Sequence, residues 1–269
     1  MSYFGLAALE VTLLGLLGGI VGPLIVLRRR SFFAVALSHA TFPGGVIFAV
    51  LGYNLLIGQA LFAVLLVLIM AALSRVPRQG RQVASGVVLA LGFALGTLLT
   101  SLNPDLGVPV EALLVGSPLS VTPTDVLATC CVLVCSLLVL ALFRRRILFH
   151  SFDPAGFAAA GYRSWPVELV VVAVIAGAVV VAMPAVGAIL GVAILIAPAA
   201  AAQLVVTRIT LLPPVAAMLG VGSGLLGLWA SRQLDLAAGG AVGLATTLVY
   251  VLAALWRWIV HRTPKEVVT

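Results

Sequence analysis

The sequence predicts an all-α fold, a polytopic transmembrane helical bundle forming one domain over 1–269, with a short cytoplasmic helix. Three observations carry this. First, 63% of the residues are hydrophobic and only 9% are charged, against about 45–50% and about 25% in soluble domains, so no water-facing surface can be built. Second, the apolar runs are continuous for roughly 20 residues, the length a helix needs to cross a bilayer. A membrane β-barrel would show alternating segments of about 10 residues. Third, 27 glycines and many alanines suit helices that approach closely in lipid.

Nine spans follow in order. The first, near 6–27, carries Glu10 and stops at Arg28–Arg29–Arg30. The second, near 33–52, holds Ser38, His39, Pro43 and Gly44–Gly45. The third, near 55–74, runs into Arg75 and Arg78, and the fourth, near 82–101, begins after Arg81. The fifth, near 122–143, contains Cys130, Cys131 and Cys135 and stops at Arg144–Arg145–Arg146. The sixth, near 166–184, follows Arg163 and meets the seventh, near 186–207, at Met183-Pro184-Ala185. Pro184 marks either a turn, giving nine spans, or a kink in one long broken element, giving eight. The eighth, near 212–230, follows Arg208, and the ninth, near 238–259, ends among Arg257, Arg262 and Lys265.

Basic clusters mark the cytoplasmic side of a membrane protein. With nine spans the N-terminus lies outside and the C-terminus inside, and Arg232 is the one basic residue outside. Glu10, Asp105, Glu111, Asp125 and Asp235 also fall on the outer side. These acids either concentrate a cation at an outer mouth or are ordinary solvated loop ends. The net charge of +7 is thus loop basicity, and nucleic acid is not a partner. The first ten residues hold no Lys or Arg, which argues against a cleaved signal peptide. The three cysteines have no histidine or carboxylate beside them for a metal site and read as helix packing.

Two segments break the apolar pattern. "NPDLGVPVEALLVGSPLSVTPTD", 103–125, is expected outside with a short helix near 109–115. "FHSFDPAGFAAAGYRSWP", 149–166, is expected inside. There Asp153 can cap a helix, Pro154 suits its first position and Gly161 suits the residue past its end. This short helix shows a small face of Ala155, Ala158 and Ala159, cannot span a membrane, and requires something to pack on it.

No phosphate-cradling G-x-x-x-x-G-K-[ST] motif occurs, and the sole lysine is Lys265. If ATP drives this chain, a partner binds the ATP. An intramembrane hydrolase would use Ser223 of "GVGSGLLG", but a serine nucleophile needs a base within reach. His39 is the one histidine at membrane depth; His150 and His261 sit at cytoplasmic edges. Ser38 and His39 point about 100° apart on a helix and are not expected to pair. Ser223 then belongs to a small-residue packing face. A self-contained secondary carrier would place several ionisable residues near the midplane, where only His39 and Glu10 are available. His39 itself reads equally as a hydrogen-bonded helix histidine or as a transient ligand for a borderline cation.

"GPLIVLRRRSFFAVALSHATFPGG", 22–45, resembles the first-loop signature of the zinc/manganese family of ABC-transporter membrane subunits, G-x-x-x-V-x-R-x-x-x-F-x-x-D-A-L-S-H-A-x-x-P-G. "VGSPLSVTPTDV", 115–126, "FDPAGFAAAGY", 152–162, and "VGAILGVAILIAPAAAAQLVV", 186–206, are similar to three further family blocks. The four stand in the family's order and cover most of the chain. The resemblance implies a permease subunit, not itself an enzyme, of an ATP-driven importer of a divalent transition metal in the bacterial cytoplasmic membrane. It implies two copies forming the pathway, a cytoplasmic ABC ATPase that binds the ATP, an extracytoplasmic metal-binding protein, and no permanently bound cofactor. It makes His39 a transient metal ligand, with Ser38, Val35 and Pro43 bordering the path. Asp153, Pro154, Phe157, Ala158 and Gly161 become the element that receives the ATPase stroke. The family usually has Asp where this chain has Val35, four residues before His39. The lost carboxylate favours zinc, which accepts a nitrogen-led site, over manganese or iron, and Glu111 or Asp235 could compensate.

Overall fold

The computed structural model describes residues 3–73, 80–103 and 118–262, and among them no strand occurs. The helices are α1 (Tyr3–Leu27), α2 (Ser31–Ala40), α3 (Phe42–Val50), α4 (Leu55–Leu73), α5 (Gly80–Leu102), α6 (Pro123–Phe152), α7 (Pro154–Ala159), α8 (Ser164–Val205), α9 (Leu212–Leu234) and α10 (Ala238–Arg262). Short 3-10 turns stand at Pro118–Ser120 and Ile209–Leu211. Among the described residues nine segments are long and apolar enough to cross a membrane, each within a few residues of its predicted span except at the far end of α6, which continues to Phe152.

α1 is the axis of the bundle, packed on α8, α9 and α6. Its Val11, Leu14, Leu17, Val21 and Ile25 are fully buried. A Cβ on Gly15 would stand 2.6 Å from the Val221 nitrogen of α9, so the two backbones meet where neither side offers a side chain. Lipid tails compete equally for apolar surface, so such close packing, not the hydrophobic effect, holds helix to helix.

α2 and α3 share one span, divided at Thr41, with Pro43 in the first turn of α3. The Thr41 hydroxyl donates to Ser38 O at 3.1 Å and contacts Met183 Sδ at 3.2 Å.

α8 resolves the Pro184 alternative in favour of a turn. A straight helix of 42 residues would be about 63 Å long, twice the roughly 30 Å hydrocarbon core. Instead Gly187 takes φ 82° and ψ 169°, a region open in practice to glycine alone. A Cβ on Gly191 would lie 3.2 Å from Ala182 Cβ, although nine residues of helix would separate the two by about 13.5 Å. The chain therefore reverses, and Ser164–Pro184 and Val186–Val205 are separate spans.

Two sequence expectations are corrected here. The cysteines are exposed, because α6 buries one narrow face through Thr129, Leu133 and Ser136 and Cys130, Cys131 and Cys135 lie off it. Glu10 is no loop acid: it is 0% exposed, and its Oε1 accepts a 2.6 Å hydrogen bond from the Thr129 hydroxyl. The predicted helix near 109–115, with Asp105 and Glu111, lies outside the described residues.

Candidate functional site

Val35 and His39, one turn apart on α2, line an open-sided groove of about 470 Å³. The second half of α8 forms the facing wall with Val192, Ile196 and Ala200, and Tyr250 of α10 completes it. All of these sit well inside their spans, so the groove lies deep in the membrane zone. Its walls are apolar except for the His39 imidazole and the Tyr250 hydroxyl. Tyr250 is 40% exposed.

The helix fixes how His39 faces this space. Its Nδ1 is 2.9 Å from the carbonyl oxygen of Val35 and 3.1 Å from Ser38 Oγ. The Ser38 hydroxyl donates to the same carbonyl at 2.9 Å. A carbonyl only accepts, so this network assigns the proton to Nδ1 and leaves the Nε2 lone pair available. Ligating histidines are oriented in this way, by a second hydrogen bond through the other nitrogen. The expectation that Ser38 and His39 cannot pair is thus corrected. Both side chains curl back over the preceding turn and meet at one acceptor, which adjacent Cβ directions alone do not reveal.

The other predicted positions divide. Ser38 is 1% exposed and positions the ring from behind. Pro43 is buried at the start of α3 and does not line the groove. Asp235 is exposed at the end of α9 with φ 50°, at the opposite end of the bundle from Arg28 and outside the groove lining. Glu111 lies outside the described residues. Among the described residues no three His, Cys, Asp or Glu converge as a metal site, and His39 is the one strong donor they place in the groove. Tyr250 was missed by sequence reasoning. Its only signal was a hydroxyl within an apolar span, and the rotation of α10 that turns it toward His39 is not written in the local pattern.

Ser223 has no base. It is 2% exposed, and its hydroxyl donates to the Leu219 carbonyl at 2.6 Å and the Gly220 carbonyl at 3.2 Å. Gly224 beside it abuts Val11 of α1. This is the small-residue packing face predicted.

α7 takes the predicted form. The Asp153 carboxylate accepts from Gly156 N at 2.7 Å and Pro154 occupies the first turn. Gly161 has φ 79°, with Gly161 N donating to Ala158 O at 3.0 Å and Tyr162 N to Phe157 O at 3.2 Å. These are the paired bonds of a left-handed helix stop, and the accompanying apolar contact is the Tyr162 ring stacked on Phe157 at 5.1 Å. Phe157 is 1% exposed, held also by Phe149 at 5.4 Å and His150 at 5.1 Å. Ala155, Ala158 and Ala159 face outward. One ring anchors the helix to the body and a flat alanine surface is offered to whatever lies beyond.

The sequence profile described as the ABC 3 transport family matches residues 2–257. The chain is 32% identical over 252 residues to the manganese transport system membrane protein MntC of Halalkalibacterium halodurans, covering 94% of this chain and 86% of that protein. It is 27% identical over 229 residues to the chelated iron transport system membrane protein YfeC of Yersinia pestis, covering 85% and 78%. Among solved structures, PsaBC from Streptococcus pneumoniae in complex with Fab superimposes with a TM-score of 0.80 at 28% identity, over 94% of this chain and 91% of that one.

Proposed function

The chain belongs to the ABC 3 transport family, and from that premise we propose that it is the membrane-spanning subunit of an ATP-driven importer of a divalent transition metal. Two copies face each other across the open-sided groove and close it. A cytoplasmic ATPase docks on the alanine face of α7, and an extracytoplasmic metal-binding protein delivers the ion at the other end. The subunit sits in the bacterial cytoplasmic membrane with its N-terminus outside and its C-terminus in the cytoplasm, the orientation that puts the arginine clusters inside.

The observation that carries the reading is the His39 ring, with Nδ1 tied to Val35 O at 2.9 Å and Nε2 left to bind and release a cation deep in the membrane. One nitrogen donor without a neighbouring carboxylate suits transit better than storage. It also suits zinc better than manganese, which prefers oxygen. The manganese and iron relatives point the other way, so we put the metal itself to the test. ATP binding in the partner biases the inward-open and outward-open states, acting through α7. A secondary carrier is disfavoured because, among the described residues, no carboxylate, lysine or arginine lines the groove.

The experiment is uptake of labelled zinc and manganese into proteoliposomes holding this chain and its ATPase. His39→Ala should lower uptake by at least about tenfold, the scale on which metal-site changes act, with assembly intact. Unchanged uptake removes His39 from the path.

A further inference from the structure

The stroke received by α7 has to reach α2, and α7 itself packs chiefly on the end of α6 and the start of α8. We propose that Glu168 is a positioning residue that, with Arg28 and Arg30, ties the foot of α7 to the base of the His39 helix; this rests on the transport reading above. The connection runs through consecutive contacts. Phe157 of α7 lies against Phe149 and His150 at the end of α6. Arg28, just past α1, grips that same turn of α6: its NH2 donates to Ile147 O at 3.2 Å and lies 3.4 Å from His150 Nδ1, and its Nε donates to Ser151 Oγ at 3.1 Å. Arg28 NH1 then pairs with Glu168 Oε1 at 3.2 Å. The other carboxylate oxygen, Oε2, pairs with Arg30 NH2. Glu168 belongs to the first turns of α8, so the carboxylate joins α8 to both arginines at once.

Arg30 is the cap residue of α2, and its carbonyl accepts from Ala34 N at 3.0 Å. A helix transmits a push along its axis, and His39 is about 13 Å further along. The turn between the arginines is fixed as well. Arg29 has φ 53°, with Arg29 N donating to Val26 O at 3.1 Å and Arg30 N to Ile25 O at 2.8 Å. The three side chains are only 7% (Arg28), 12% (Arg30) and 20% (Glu168) exposed. They are thus a desolvated cluster, unlike the solvated surface pairs that contribute little. The segments that flank α7 in sequence, the end of α6 and the start of α8, are the two that hold the α1–α2 turn.

The test separates hydrolysis from transport in the reconstituted complex of this chain with its ATPase. Glu168→Gln is expected to keep ATPase binding and ATP hydrolysis within about twofold of wild type, while metal taken up per ATP falls at least about tenfold. Glu168→Asp, which keeps the carboxylate facing Arg28 and Arg30, is expected to retain most of the wild-type ratio. Unaltered uptake per ATP in Glu168→Gln would overturn the proposal in favour of transmission by α8–α2 packing. Equal loss of hydrolysis and uptake in Glu168→Gln, with no retention in Glu168→Asp, overturns it in favour of a purely structural role. Failure of the wild-type complex itself to move metal would instead count against the transport reading.

Discussion

A histidine that gives its Nδ1–H to the carbonyl one turn back has a single nitrogen left to offer, and on α2 that nitrogen belongs to the groove side. The donor's partner is the backbone of Val35, whose side chain stands on the same wall. Val35→Asp therefore adds a carboxylate beside His39 without touching the bond that holds the ring. An imidazole–carboxylate pair binds more tightly and shifts the preference toward oxygen-seeking ions. Relative uptake of manganese over zinc should rise severalfold, read by competition in the proteoliposome assay; an unchanged ratio removes position 35 from metal selection. At this scale the sequence was partly legible. "ALSHATFPGG" singled out a side chain that lines the groove, and the i, i+4 rule put Val35 beside it. The Ser38–His39 contact was hidden because polar side chains reach back along a helix to carbonyls. Tyr250 was hidden because it comes from a helix two hundred residues away.

Helices of this composition announce themselves by length, and the predicted spans matched because each had to cross the same thickness of hydrocarbon. What composition could not decide was the join inside α8. Pro184 drew attention, yet the reversal needs a residue at positive φ, and Gly187 supplies it. Legibility was greatest for α7, where Asp153, Pro154 and Gly161 occupy the positions their chemistry favours. Here most of the element is exposed and local caps rule. The design of α7 separates anchoring from docking: Phe157 is buried while Ala158 is exposed. Ala158→Arg accordingly leaves the subunit's own fold within about 0.5 kcal/mol, as for other surface changes, but sets a long cation against the partner. The ATPase should no longer co-purify, while the subunit's thermal melting stays put. Retention of the ATPase would take α7 out of the docking role.

Across the whole molecule, charge is sorted by end. Arg28–Arg30, Arg144–Arg146 and Arg163 gather where α7 lies; at the other end stand Asp125 in its capping box with Thr122, and Arg232 over the Phe4 ring at 4.9 Å. The groove is open-sided, and among the described residues one strong donor, His39, lines it. A lone subunit therefore has neither a closed path nor a source of work. Reconstituted without its ATPase, the chain should pass zinc or manganese no faster than empty vesicles; the ATPase with ATP should restore uptake. Flux through the isolated chain would mark it as a self-sufficient carrier. The gathering of arginines at one end was readable from their spacing alone. The place of Glu10 within the first span was readable too, but its partner was not, because Thr129 comes from another helix.

In the proposed orientation, Arg28 and Arg30 lie in the tract whose charge keeps this hairpin from being drawn across the bilayer during insertion, and the same two guanidinium groups clasp Glu168 in the finished protein. Biogenesis and mechanics thus draw on one pair of side chains. Lysine would serve the first task and, lacking a planar fork, would serve the second poorly. Neutralising either arginine to probe topology would confound misinsertion with slippage at the joint, so orientation in this subunit is better probed from Arg144–Arg146.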